Sequence, residues 1–474
     1  MQANKVLVAM LMTAGLMSNP ANAAVDPEKL VQAYEKLLQR VEQLEAANKK
    51  MEAALEQAKS AESASAQAEE MAERVEDIES KIVVLNKPRK VESALEGITA
   101  GASLTMVGQS ALSGTTSGKD ESRTNYRADA EVTLPAGNIG KAEGELFAHF
   151  RIGQGNGLGF MPPTLSNTAN STVFSLSNGD EAAVLLAQAW YELEVPLGES
   201  ELEIVAGKID PFGFFDQNDI ADDESTAFLN NAFVHNPLLD SGGDMDVDAY
   251  GFAPGLIMSY RNNSQSPGYW RATVGMFSSG EDSSFDTELT HPFVIGQIEA
   301  GSSTLFGREG VYRLYAWNRG RATPYANEFD ASHESHSGWG LSANQQVAEH
   351  VSVFVRYGHS LEGEMRFDQA LTIGAEIGGA HWGREEDRLG LAVGWANTTK
   401  TFRAAAPVLD ADSDGVADFG YAPGGAESQL EIYYAWKANE YLELSPDFQW
   451  IRNPGGDSSR SDITVVGLRA TVSY

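Results

Sequence analysis

The sequence predicts an all-β protein: a sixteen-stranded antiparallel transmembrane β-barrel preceded by an N-terminal α-helical coiled coil. The final stretch, residues 462–474, alternates apolar and polar side chains and ends on the aromatic residue Tyr474. Similar alternating stretches recur from residue 98 onward, separated by turn-forming residues and by connections that are alternately long and short. Because successive side chains of a strand point to opposite sides, one face of such strands suits lipid and the other a polar lumen.

The N-terminal part of the chain has a different composition from the rest. It opens with an apolar stretch and a small-residue cleavage site, Ala21-Asn22-Ala23, which together are typical of a secretory signal peptide. A heptad spacing of apolar residues follows and predicts a periplasmic coiled coil that ends near Pro88. A single amphipathic helix packed on the barrel is the alternative. The predicted domains are the signal peptide 1–23, the coiled coil 24–87, the linker 88–97 and the barrel 98–474.

The composition excludes several classes of protein. The chain of 474 residues contains no cysteine, so a secreted protein of this sequence has no disulfide bonds. Its formal net charge of -33 argues against a nucleic-acid partner, which needs a basic surface. Nucleophile elbows, paired-histidine zinc motifs and phosphate loops are also missing from the sequence, so we expect no enzyme, with an enzymatic barrel as a minor alternative.

Sixteen stretches have the length and alternation of strands, and an even number is typical of bacterial barrels. The alternation also assigns the two faces: Val353 and Val355 are expected to face lipid and Arg356 the lumen. Export together with this pattern predicts a Gram-negative outer-membrane location. The predicted strands are residues 98–107, 124–134, 143–152, 185–196, 200–209, 249–261, 268–278, 290–300, 310–319, 336–347, 350–359, 370–378, 387–398, 427–437, 440–451 and 462–474.

The connection at residues 207–237 is too apolar for a loop in water, because phenylalanines such as Phe215, Phe228 and Phe233 recur along it. Carboxylates are equally frequent in the same segment. We expect residues 210–237 to fold into the barrel and form a constriction, since long loops without regular structure are usually functional. The predicted constriction residues are Asp216, Asn218, Asp219, Asp222, Asp223, Glu224, Asn230 and Asn231.

Four blocks of sequence stand out within residues 95–474: residues 207–218, residues 228–233, residues 307–315 and residues 431–469. In composition and order they resemble the corresponding blocks of the OprB-type carbohydrate-selective porins. The resemblance implies a sixteen-stranded barrel, commonly trimeric, that passes sugars by passive or facilitated diffusion. It does not cover the coiled coil, for which we expect trimer formation or attachment to peptidoglycan or another periplasmic partner.

A sugar path needs groups that match hydroxyls and flat C–H faces, and arginine and aromatic side chains provide both. The inward strand faces supply the candidates Arg151, Arg313, Trp317, Arg356, Glu431, Asp447 and Arg469. One alternative is a wall of mutually neutralising charges that only hydrates a general pore. Another is a general cation-preferring porin, because carboxylates outnumber basic residues in the barrel region. A third alternative is a structural protein that uses the coiled coil to tether the outer membrane to the cell wall or to another periplasmic partner.

One acidic loop has part of a calcium-binding pattern. Asp410, Asp412, Asp414 and Asp418 place oxygen ligands at alternate positions around Gly415, as at the start of an EF-hand loop. Tyr421 occupies the position where a bidentate glutamate would complete the site. The pattern therefore leaves two interpretations open, a calcium site and an ordinary acidic turn.

Overall fold

The computed structural model describes residues 97–474 except 117, 162, 166–167, 176–178, 180, 240–251, 265–267, 279–290, 303–306, 323, 326–333 and 412. The predicted signal peptide and coiled coil, and all of the predicted linker except Gly97, lie outside the described residues.

The described part of the chain forms sixteen strands, two short helices and three 3-10 turns. The strands are Thr99–Ala111 (β1), Glu121–Ile139 (β2), Ala142–Gly155 (β3), Ala183–Leu197 (β4), Ser200–Ile209 (β5), Ala253–Asn262 (β6), Tyr269–Phe277 (β7), Phe293–Ser302 (β8), Gly310–Ala322 (β9), Glu334–Ala348 (β10), Val351–Glu362 (β11), Phe367–Gly378 (β12), Arg388–Thr398 (β13), Ala426–Lys437 (β14), Leu442–Arg452 (β15) and Ile463–Ser473 (β16). The helices are Asn231–Val234 (α1) and Lys400–Ala405 (α2), and the 3-10 turns are Pro211–Gly213, Gly379–Trp382 and Pro454–Gly456.

The strands close into one antiparallel barrel. Each strand pairs with its neighbours in sequence, and β1 pairs with β16 from Ser103 opposite Ser473 to Ala111 opposite Val465. Closure leaves no unpaired sheet edge, which stabilises a barrel that has no disulfide bonds. The predicted number of strands is confirmed.

The strand boundaries agree with the predicted ones to within a few residues, and β2 is the main difference. The prediction ends this strand at residue 134, whereas β2 continues to Ile139. A register shift between Pro135 and Gly137 accommodates the proline, which has no N–H to donate to the ladder. A proline in a strand therefore marked a bulge here and not a strand end.

The connections differ in length at the two ends of the barrel. One end has short turns such as residues 140–141 and 198–199, and the other has long loops such as residues 156–182, 210–252 and 399–425. The exceptions are the four residues between β11 and β12 at the long-loop end and the nine between β12 and β13 at the short-turn end. Among the described residues, no helix combines the length and the apolar character that crossing a membrane requires.

The outer face of the barrel is apolar and most of the inner face is polar, as the alternation predicts, whereas inward residues such as Val205, Ile257 and Phe277 belong to an apolar cluster. On β16, Val466 and Leu468 are exposed on the outside while Arg469 is buried inside. On β9, Leu314 is exposed on the outside while Arg313 and Tyr315 are buried inside. A band of apolar side chains therefore surrounds a polar interior, which is the arrangement that a membrane barrel needs.

Candidate functional site

The connection between β5 and β6 folds into the barrel interior, and we call residues 210–239 the inner loop. Phe215 packs against Phe277 of β7, with ring centroids 6.2 Å apart. Phe228 contacts Phe354 of β11 and Tyr433 of β14 at centroid distances of 5.7 and 5.0 Å. Burial of these rings holds the loop against the wall.

Side-chain caps stabilise two short helical turns of the inner loop, one near its start and one near its end. Asp210 accepts a hydrogen bond from the backbone N–H of Phe212 (3.0 Å) and caps the turn Pro211–Gly213. Asn230 accepts a hydrogen bond from the backbone N–H of Ala232 (3.0 Å) and caps α1. Aspartate and asparagine are favoured at such positions because their side-chain oxygens satisfy N–H groups that have no partner within the helix.

Arg356 of β11 is a fully buried anchor of the inner loop. Its guanidinium donates hydrogen bonds to the backbone carbonyl oxygens of Ala221 (2.6 Å) and Phe233 (2.8 Å). It lies 3.2 Å from the carboxylate of Asp216, which is also fully buried, and 3.4 Å from that of Asp222. One guanidinium therefore joins two separate parts of the inner loop, residues 216–222 and Phe233, to the wall.

Asp216 has further partners that hold it in place. Its carboxylate accepts hydrogen bonds from the hydroxyl of Tyr315 (2.7 Å) and from the backbone N–H of Asn236 (2.6 Å). Its backbone φ of 59° lies in the left-handed region, which aspartate adopts more readily than most residues. The contacts of Asp216 compensate both its buried charge and its unusual backbone conformation.

A second anchor lies on the wall of β14 and β16. Arg469 donates a hydrogen bond to the carbonyl oxygen of Ala227 (2.6 Å). The carboxylate of Glu431 accepts the backbone N–H groups of Leu229 (2.6 Å) and Asn230 (2.9 Å). The charged guanidinium of Arg469 strengthens its hydrogen bond, and together with the two bonds to Glu431 it fixes the middle of the inner loop.

Two other predicted constriction residues also fasten the loop. Asn218 donates a hydrogen bond to the hydroxyl of Ser342 (3.1 Å), and Asp219 accepts one from the side chain of Asn344 (2.7 Å). Both partners belong to β10. Asn218 is buried, whereas Asp219 is exposed to the barrel interior.

Three predicted wall residues are buried away from the cavity. Arg313 pairs with Glu299 at 2.6 Å. Trp317 packs in an apolar cluster that joins wall residues to the inner loop. Asp447 accepts a hydrogen bond from the side chain of Gln449 (3.0 Å). None of these three predicted residues is among the residues that line the cavity described next.

A cavity of about 1460 Å³ lies between the inner loop and the wall formed by β1–β4 and β16. Its lining extends from Gly101 and Tyr474 at the short-turn end to Thr116 and Gly159 at the long-loop end. The cavity therefore runs along the barrel beside the inner loop. The predicted site residues in its lining are Arg151, Asp222, Asp223, Glu224 and Asn231.

A charged network crosses this cavity. Asp129 of β2 accepts hydrogen bonds from Arg151 (2.6 Å) and Arg127 (2.8 Å). It also contacts His149 Nε2 at 2.7 Å. Arg127 pairs in addition with Glu224 and so links the wall to the inner loop. The sequence prediction did not include Arg127 or Asp129, although their alternate positions in one predicted strand place both on the same face.

Aromatic rings lie beside the cationic part of the network. The Arg151 guanidinium carbon is 5.7 Å from the ring centroid of Phe174 and 5.3 Å from that of Phe252. All three residues line the cavity. A guanidinium between two ring faces offers hydrogen-bond donors next to flat apolar surface.

The surroundings change the acidity of the loop carboxyls. Burial raises the pKa of Glu224, but the guanidinium groups of Arg127 and Arg151 outweigh burial and hold that pKa below its usual value. Burial raises the pKa of Asp210. Glu224, which links the inner loop to the wall, is therefore ionised. Asp210, in contrast, holds its proton more strongly than an aspartic acid in water does.

The ion selectivity of the channel is expected to depend on pH, because Asp222 changes its charge near neutral pH. Burial raises the pKa of its carboxyl to about 7, with Arg356 opposing part of the shift. Because the carboxyl is neutral below this pKa and negative above it, cation selectivity should rise as the pH increases through about 7. Reversal potentials across planar bilayers in a KCl gradient measure this. Asp222→Asn should reduce the rise, and an unchanged rise in this variant would contradict the role of Asp222.

The acidic loop at residues 410–418 has bonds of its own. Asp410 accepts the backbone N–H groups of Asp414 (3.0 Å) and Gly415 (2.9 Å), and Asp418 accepts that of Ala411 (2.9 Å). No group of three or more histidine, cysteine, aspartate or glutamate side chains within the described residues is placed to hold a metal ion. Because Asp412 lies outside the described residues, calcium binding stays a prediction.

A closed sixteen-stranded antiparallel barrel, with a loop packed inside it and a cavity beside that loop, has the architecture of a porin. The model of the family described as "Carbohydrate-selective porin, OprB family" matches residues 146–474. The chain belongs to the OprB family, which confirms the resemblance in the sequence blocks. This membership, together with the outward apolar band, places the barrel in the outer membrane.

Relatives agree with this assignment. Porin B of Pseudomonas aeruginosa is 24% identical over 243 residues, which are 46% of this chain and 52% of Porin B. The match spans about half the length of that relative. The high-pH structure of Pseudomonas putida OprB superposes with a TM-score of 0.65 at 19% identity, over 81% of this chain and 96% of that chain. This structural likeness supports the fold.

Proposed function

We propose that the barrel is a channel for passive or facilitated diffusion of small hydrophilic solutes, with carbohydrates favoured. The observation that carries the proposal is the position of Arg151 on the cavity wall between Phe174 and Phe252. Sugars combine hydroxyl groups with flat C–H faces, and this arrangement offers donors and ring faces to one molecule. Family membership supports the same solute class.

The mechanism that we propose is diffusion through a passage whose width the inner loop sets. Arg356 and the wall of Arg469 and Glu431 hold the loop through its backbone, so its position does not depend on solute. A solute would exchange water for the network of Arg151 and Asp129 and then leave along the polar wall. Weak contacts of this kind favour passage over retention.

Sugar-dependent block of the open channel tests the proposal. In planar bilayers, single-channel conductance should fall reversibly as glucose or a short glucose oligomer is added. Arg151→Gln should weaken the block several-fold, because it removes charged donors that lie beside the rings. Strong cation selectivity with no effect of any sugar would instead support a general cation-preferring porin, which the carboxylates in the cavity lining favour.

We also propose that the protein is a homotrimer. The outward face of β1–β3 combines small residues, among them Gly108, Ala128 and Ala148, with exposed apolar side chains such as Leu104 and Met106. Such a surface suits close contact with a second copy. The predicted coiled coil would add a periplasmic contact among the three copies or a tether to peptidoglycan or another periplasmic partner.

A further inference from the structure

The charges along the passage indicate which class of sugars it favours. The cavity lining contains seven carboxylate residues and three arginines. Two of these arginines, Arg127 and Arg151, are paired with Asp129, and Arg127 is paired with Glu224 as well. The guanidinium charges in the lining are therefore largely neutralised, while carboxylates remain in excess.

A second group of carboxylates lies at the short-turn end of the barrel. Glu145 of β3 is directly opposite Glu192 of β4, and Glu194 is opposite both Glu143 of β3 and Glu203 of β5. Glu145 is on the same face of β3 as His149 and Arg151, because all three occupy alternate positions, so this group faces inward. We call these five residues the glutamate wall.

The glutamate wall departs from the usual rules of sheet stability. Like charges directly opposite each other on neighbouring strands destabilise a sheet, and the strand face could have carried uncharged polar residues instead. Two nearby arginines offset part of this repulsion: Arg261 of β6 lies 3.6 Å from Glu201, and Arg271, opposite it on β7, attracts Glu192 and Glu203. Residues that break a local stability rule are expected at functional positions.

We propose that the passage selects solutes by charge: it admits neutral sugars and amino sugars and excludes sugar acids and sugar phosphates. The proposal rests on the proposed function and names its substrate class. An excess of carboxylates in a narrow lumen with low-dielectric walls raises the local concentration of cations and lowers that of anions. An ammonium group on a sugar gains from both the cavity lining and the glutamate wall, whereas a carboxylate or phosphate group is repelled by both.

Uptake into proteoliposomes at pH 7 and zero membrane potential tests the charge selection. The three labelled probes are glucosamine, glucose and gluconate. In about 10 mM salt, where charges act over roughly 30 Å, glucosamine should enter at least about tenfold faster than gluconate, with glucose between them. In about 1 M salt, where that range falls to roughly 3 Å, the ratio should approach one.

Two variants connect the selection to named residues. The triple variant E145Q/E192Q/E194Q should lower the ratio of glucosamine to gluconate entry by about threefold or more, and the loss of like-charge repulsion should not disturb folding. Glu131→Gln, in the cavity lining, should lower it by a smaller factor. The control Glu386→Gln removes one charge from an exposed turn and should leave the ratio unchanged.

The outcomes separate the charge inference from the proposed function. If glucose enters no faster than into protein-free vesicles, the sugar-channel proposal fails. If glucose enters but gluconate keeps pace with glucosamine at low salt, the charge selection is wrong while the sugar channel stands. An unchanged ratio in the triple variant would also overturn the role of the glutamate wall.

Discussion

Replacing Arg356 by methionine is expected to release the inner loop and widen the channel. The variant removes hydrogen bonds to two loop carbonyl groups and leaves the buried carboxylate of Asp216 without its charged partner. Breaking a buried ion pair by removing one partner costs on the order of 3–5 kcal/mol. We therefore expect a lower free energy of unfolding and at least about a twofold larger single-channel conductance.

Further variants identify the cause of this effect. Arg452→Met removes an exposed arginine from the end of β15 and should change neither measurement. The double variant Arg356→Met with Asp216→Asn should be more stable than Arg356→Met alone, because it no longer buries an unpaired charge. Native conductance and stability in Arg356→Met would show that the loop does not depend on this anchor.

Replacing Glu224 by glutamine is expected to break the link between the inner loop and the wall at the cavity. Arg127 would keep Asp129 as its partner but lose the loop carboxylate, and one negative charge would leave the lining. We expect single-channel conductance to rise to about 1.5 to 2 times the native value. We also expect the permeability ratio of cations to anions to fall. Single-channel currents and reversal potentials in a KCl gradient measure both changes.

The exposed residue Glu386 provides the matched control for this charge change. Glu386→Gln should leave conductance and selectivity at their native values, because its side chain lies in the turn at residues 379–387. A coupling energy of about 0.5–3 kcal/mol between Arg127 and Glu224 is expected from a double-mutant cycle on unfolding. Equal effects of Glu224→Gln and Glu386→Gln would contradict the link.

The sequence predicts the barrel well because the signal is local. A strand with one face toward lipid and one toward the lumen alternates along its whole length, so sixteen such stretches could be recognised and their faces assigned. The predicted end of β2 at residue 134 was too early, because a bulge between Pro135 and Gly137, which depends on the partner strand, keeps β2 continuous beyond it. The N-terminal heptads remain a prediction outside the described residues.

The site was less predictable, because alternation assigns a face but does not say what covers it. Arg151, Arg356 and Arg469 have the same inward position, yet only Arg151 of the three lines the cavity, while the other two bind the backbone of the inner loop. Which wall residues the loop covers depends on the packing of its phenylalanines. The inward position of Arg127 and Asp129 could have been predicted from the alternation of their strand. Their contacts with each other and with the inner loop could not.

The most direct test of the central claim is the response of single-channel conductance to sugar in planar bilayers. The account predicts a reversible, concentration-dependent block of the native channel, a block several-fold weaker in Arg151→Gln and a native block in Arg452→Met. A native channel whose current no sugar changes, or a block that Arg151→Gln leaves intact, would contradict the claim that this passage conducts carbohydrates past Arg151.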